Sequence, residues 1–144
     1  MGIDIRAYVC HEWGAAAPYG TLKMDQVAGF SIFRDRQLFE VLAGAGLERS
    51  GQLFPPRGLP DGAPLFVAAE AEAMGMNKPS WLTTSEVEEA LAAYPQGTHA
   101  RRHGVTESRQ AAVPALLASM RAVDGWCAEH DPGGRAVLVF FFDS

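Results

Sequence analysis

The chain has 144 residues, 48% of them hydrophobic and 20% charged, with a formal net charge of −5. Such a length and balance fit a single globular domain, residues 1–144, that buries roughly two thirds of its unfolded surface and folds without disulfides or metal. The negative charge argues against direct nucleic-acid binding, which relies on Lys and Arg meeting phosphates, and two cysteines, Cys10 and Cys127, make no disulfide framework.

Ile3, Ile5, Ala7 and Val9 alternate with Asp4, Arg6 and Tyr8, the period of a strand with one buried face. The opening MGIDIRAYVC has no basic stretch leading into an apolar core, so it does not read as a signal peptide. Residues 20–33 alternate poorly and leave room for a further short strand. Leu38, Phe39, Val41 and Leu42 form a helical stripe, with Asp35 as cap and Gly44 and Gly46 as stops. FPPRGLPDGAP (54–64) reads as extended surface chain, and a helix is predicted from Pro64 to Ala73.

In NKPSWLTTSEVEEAL (77–91), Pro79 disfavours helix at Lys78, while Thr83 and Glu86 fit a capping box. Val87, Ala90 and Leu91 then supply the buried face of a helix. Residues 93–104 read as a polar loop. A long helix is expected from Thr106 to Glu129, its stripe made of Val113, Leu116, Leu117, Met120, Val123 and Cys127, with Pro114 as a kink or a start. HDPGG (130–134) is a turn. The final AVLVFFFD (136–143) lacks a polar face, which predicts a central strand covered on both sides, and its apolar run is too short to span a bilayer. Pairing the two chain ends gives an α+β fold: a small sheet including the N- and C-terminal strands, packed by three or four helices.

Several residues invite a chemical reading. Cys10-His11 closes the first strand and Cys127-Ala-Glu-His130 closes the long helix; four zinc-type ligands would converge if those ends met. Adjacent Cys and His rarely ligate together, and Cys127 lies on the apolar stripe as a small hydrophobe would, so neither a metal nor another cofactor is expected. No GxSxG, HExxH, GxxxxGK or GxGxxG pattern is present. His99 and His103 flank Arg101 and Arg102 in a glycine-flanked loop that reads as solvated. Arg34 precedes a helix start, where a cation opposes the dipole unless partnered. His11-Glu12-Trp13 follows a strand and Ser80-Trp81 precedes a helix. At the same end of a sheet, His11, Trp13, Arg34, Ser80 and Trp81 would rim one concave binding site.

The blocks MGIDIRAY, FRDRQLFEVLAG, PRGLP, PSWLTTSE and VLVFFFDS resemble a group of small uncharacterised proteins of bacteriophages, prophages and bacterial genomes. Members open with a GIDI-like strand, carry an SWLT-like helix start and finish in an apolar strand ending in Asp. Residues 13–28 and 93–112 lie outside the similarity, and Asn77-Lys78 stands where members often have a histidine. The resemblance implies a setting rather than an activity: small acidic phage-borne proteins often bind a host factor, including components of anti-phage defence.

The expected function is therefore a non-enzymatic accessory protein, located in the host cytoplasm, that binds a host protein or a small ligand and forms a homodimer in one version. Trp13, Trp81 and the glutamates Glu86, Glu88 and Glu89 would be its contacts. The competing expectation is a small enzyme or nucleotide binder with His11, Arg34, Ser80 and Asp143 around a cleft at the sheet edge.

Overall fold

The structure, a computed structural model, describes residues 4–18, 23–32, 38, 41–42, 54, 56–73, 77–92 and 107–143. Four strands form one antiparallel sheet in the order β2-β1-β4-β3, with β1 at Asp4–Glu12, β2 at Met24–Ile32, β3 at Asn77–Thr83 and β4 at Arg135–Asp143. Among the described residues three helices can be followed end to end beside it: α1 (Leu65–Ala73), α2 (Thr84–Leu91) and α3 (Glu107–His130). The fold is α+β, and the two strands nearest the chain ends are neighbours at the sheet centre. Among the described residues no helix is long and apolar enough to cross a membrane.

β4 explains its own composition. Ala136, Leu138, Phe140 and Phe142 face one core with α2 and α3, whereas Val137, Val139 and Phe141 face a smaller one with α1. Alternate residues of a strand point to opposite faces, so a segment covered twice must be apolar throughout. The same holds for the middle of β1, which corrects the expectation of a single buried face. Ile5, Ala7 and Val9 join the larger core, while Tyr8 and Cys10 join the smaller. On that thinner side the Tyr8 hydroxyl donates to Glu70 of α1.

The stripe predicted for the long helix is the one buried: Val113, Leu116, Met120, Val123 and Cys127 lie in the larger core, with Leu117 packed against it. Pro114 sits inside a continuous α3 and is exposed. Leu38, Val41 and Leu42 are helical, with Leu38 and Leu42 buried. The rest of that segment, Arg34 and the whole 93–104 stretch lie outside the described residues.

Both edge strands carry a bulge; β2 falls within the 20–33 stretch where the sequence leaves room for a further strand, whereas β3 departs from expectation. Residues 77–83 read as the approach to a helix but form β3, with a register shift between Asn77 and Ser80 where Lys78 and Pro79 interrupt the pairing. A proline has no N–H to give a ladder, so it belongs at an edge or a bulge. On β2, Val9 pairs with Ala28 and Cys10 with Gln26, which leaves Val27 as the extra residue.

Candidate functional site

Glu12 ends β1 opposite Arg135, with Arg135 Nε donating to Glu12 Oε1 at 2.8 Å. Beyond it the chain runs against the turn that follows α3. Asp131 N–H donates to Cys127 O at 2.9 Å, the last helical bond, and Gly134 N–H returns to Asp131 O at 2.9 Å. Gly133 has φ of +86°, a conformation open to glycine at little cost. Gly14 meets this turn so closely that an added Cβ would lie 2.3 Å from Gly134 N.

The contact is held by one carboxylate. Asp131, fully buried, accepts Gly14 N–H at 2.9 Å and His11 Nε2 at 2.8 Å through Oδ2, and Ala16 N–H at 2.8 Å through Oδ1. Burial works against its charge, but the two backbone donors and His11 outweigh it and hold its pKa below the ordinary value. An ionised carboxylate can only accept, so His11 carries its hydrogen on Nε2. Trp13 lies on the imidazole with ring centres 4.2 Å apart, and its Nε1 donates to Asp25 at 2.6 Å. Trp126 meets both rings edge-on, at 5.5 Å from His11 and 6.2 Å from Trp13, and its ring also lies 5.2 Å from that of His130.

His11 and Trp126 also wall a groove between β2 and α3, about 400 Å³ in volume and otherwise lined by Val27, Ser119, Ala122 and Val123. The bulge matters here. The extra residue, Val27, is 54% exposed and Trp126 46% exposed, so two large apolar side chains line the same open groove.

Ser80 and Trp81 lie elsewhere. Ser80 is buried and accepts Arg57 N–H at 3.0 Å, while Gly58 N–H donates to Pro79 O at 2.9 Å, so together they pin the proline-rich segment along β3. Trp81 points to the α1 face between two guanidiniums, Arg57 at 4.7 Å and Arg135 at 5.6 Å from its ring centre. Arg57 also grips Glu86 with both terminal nitrogens, and Glu86 in turn accepts Thr83 N–H at 3.0 Å as one arm of a capping box. That ion pair and the Thr83 bonds, against a smaller opposing effect of burial, hold the Glu86 pKa down at about 2. A polar cleft of about 330 Å³ adjoins them, lined among others by Glu12, Lys23 and Asp61.

Of the residues singled out from sequence, His11 and Trp13 therefore come together, and Ser80 and Trp81 join neither them nor each other's face of the sheet. Trp13 and Trp81 share an end of the sheet but stand on opposite sides of it. Arg34 lies outside the described residues. The competing cleft of His11, Ser80 and Asp143 does not form. His11 pairs with Ala136 and Asp143 with Asp4, seven positions along β4, or roughly 23 Å at about 3.3 Å per residue. Two of the three glutamates named as contacts are engaged within the chain, Glu86 with Arg57 and Glu88 with Arg121 at 3.3 Å.

The ends of β1 and α3 do meet, but with a different set of donors. Cys10 faces the smaller core, its thiol pushed up to about 12 by burial and by Asp25, and His130 remains on the surface. Asp131 takes a central place instead. In the sequence Asp131 reads as part of the HDPGG turn, although its four-residue spacing from Cys127 sets both on one side of a helix end. Trp126 was missed because it lies one position off the apolar stripe. No family model, curated protein or solved structure matches the chain.

Proposed function

We propose that the protein is a non-catalytic binding module of a phage or mobile element, and that the groove between β2 and α3 receives an apolar group of its partner, a host protein or a small ligand. The carrying observation is that the bulged Val27 and a half-exposed Trp126 line the same open groove. A bulge costs ladder hydrogen bonds, and a pair of exposed apolar walls gains nothing for folding. Both are explained if the gap is filled on binding, with Trp126 as the aromatic anchor. His11 adds a polar floor, and the small side chains of Ala122 and Ser119 leave the depth. The phage setting rests on the sequence blocks described above.

The test uses 8-anilinonaphthalene-1-sulfonate as an apolar probe, followed by affinity capture from bacterial lysate. Wild-type protein is expected to bind the probe saturably, and Trp126→Ala and Val27→Asp to weaken it about tenfold or more while circular dichroism stays unchanged. Captured host proteins should be lost with the same two variants. Equal probe binding by all three folded proteins would sink the groove as the site. Capture that depended instead on Trp81→Ala would move the site to the α1 face.

A further inference from the structure

His11, Cys127 and Asp131 form a cluster of which the groove reading uses only His11. A ring nitrogen, the thiol sulfur and a carboxylate oxygen of the three lie within 4.8 Å of one another, and all three residues are buried. They arrive from two separate parts of the chain: His11 from the end of β1, Cys127 from the last turn of α3 and Asp131 from the residue just after it, joined to Cys127 by the backbone bond that closes the helix. The geometry points to a zinc site with these three ligands and a fourth position opening toward the groove.

The donor set decides the class of ion. Nitrogen and thiolate beside a single carboxylate suit zinc, whereas calcium and magnesium take oxygen almost exclusively. Tetrahedral zinc, with bonds of about 2.0 to 2.3 Å, spaces its ligand atoms roughly 3.3 to 3.6 Å apart. His11 Nε2 and Asp131 Oδ2 stand 2.8 Å apart. The pair need separate by about 0.5 Å, and the Cys127 sulfur, within 4.8 Å of both, need close in by at most about 1.2 Å to admit the ion. Binding replaces the Cys127 S–H bond with a zinc–sulfur bond and releases that proton to solvent. His11 retains its hydrogen by moving it from Nε2 to Nδ1.

The surroundings fit a metal as well. Gly14 and Ala16 amides already orient the carboxylate, the support that ligating carboxylates require. Trp13 and Trp126 pack against the imidazole and keep water from its faces. His11 and Val123 border the groove, which supplies both a route of access and room for a fourth donor. Three protein ligands with one open position is the pattern of zinc that engages a further molecule, not of zinc that only braces a fold. The ion is held whether or not a partner fills the groove, so the two proposals fail separately.

The experiment strips the purified protein with a chelator, returns Zn²⁺, removes excess by gel filtration and measures metal per chain. About one zinc per chain is expected. Cys127→Ser and His11→Gln, each confirmed folded, should weaken binding by about 100-fold or more. Cys10→Ser and His130→Gln should leave it unchanged. With Co²⁺ in place of zinc, a thiolate-to-metal charge-transfer band should appear and persist in Cys10→Ser, which retains only Cys127 and therefore decides the question even if Cys127→Ser does not fold. A folded wild type that retains no metal overturns the proposal. So does metal that Cys127→Ser still holds unchanged, metal that His130→Gln removes, or a cobalt band lost with Cys10.

Discussion

The same end of one sheet presents two different chemistries on its two faces. Toward α3, polar groups are buried and satisfied by fixed donors: Asp131 takes backbone amides and an imidazole, and tryptophans close over the ring. Toward α1 and along the β3 edge, where α2 begins, charges remain near water and pair with one another, as Arg57 does with Glu86 and Arg135 with Glu12, with both guanidiniums over Trp81. Thickness accounts for the contrast. The larger core has helices and strands enough to desolvate a carboxylate, whereas the smaller one is covered chiefly by a nine-residue helix. A buried polar group must be fully partnered to be tolerated, so the thick side is where side-chain geometry is fixed and where a ligand would find it preformed.

The sharpest way to break this comparison is to empty each core from the same strand. Phe140 and Phe141 are adjacent, fully buried and on opposite faces. Phe140→Ala is expected to lose about 3–5 kcal/mol in urea unfolding, because the layers around it cannot collapse. Phe141→Ala should lose distinctly less, since α1 can settle toward the sheet. Equal losses would mean that the α1 layer is as rigid as the other.

A smaller effect is expected where the β1 exit crosses the α3 turn. Gly14→Ala places a methyl group against backbone atoms at 2.3 to 2.5 Å, so one chain must move. The expected loss is about 1–3 kcal/mol, with a change in tryptophan fluorescence as Trp13 shifts from His11. A variant with wild-type stability and spectrum would show that the Asp131 tie does not fix this loop.

Much of the fold was legible because its signals are local or periodic. The α3 stripe, the doubly covered β4 and the Thr83–Glu86 cap each follow from spacing within a few residues. β3 was not legible, since Asn77–Thr83 has neither alternation nor a run of β-branched residues, and its strand character comes from pairing with β4. The candidate site was half legible. His11 and Trp13 stood out as a strand end. Asp131 is 120 positions from His11, and only the antiparallel return of β4 beside β1 brings the turn before it to that strand end. The bulge that exposes Val27 is likewise a property of register, which no single strand encodes.

The smallest expected effect separates the two faces by pH and salt. The Glu86 pKa is depressed from 4.5 to about 2, first by its bond to Arg57. A depressed carboxylate contributes stability that is complete above the unfolded value and lost as pH falls from about 4.5 toward 2. Solvent screening at this partly exposed pair limits the contribution to about 1 kcal/mol or less. Asp131 is also lowered, so its stabilisation fades in the same direction, but its donors are backbone amides and a buried imidazole that salt screens poorly. The acid loss should therefore have two components. Raising salt, or making Glu86→Gln, should remove only the shallow one, leaving a salt-insensitive loss that belongs to the α3 face. If salt abolished the whole dependence, the Asp131 carboxylate would be far more open to water than its burial indicates, and the contrast between the faces would fall with it.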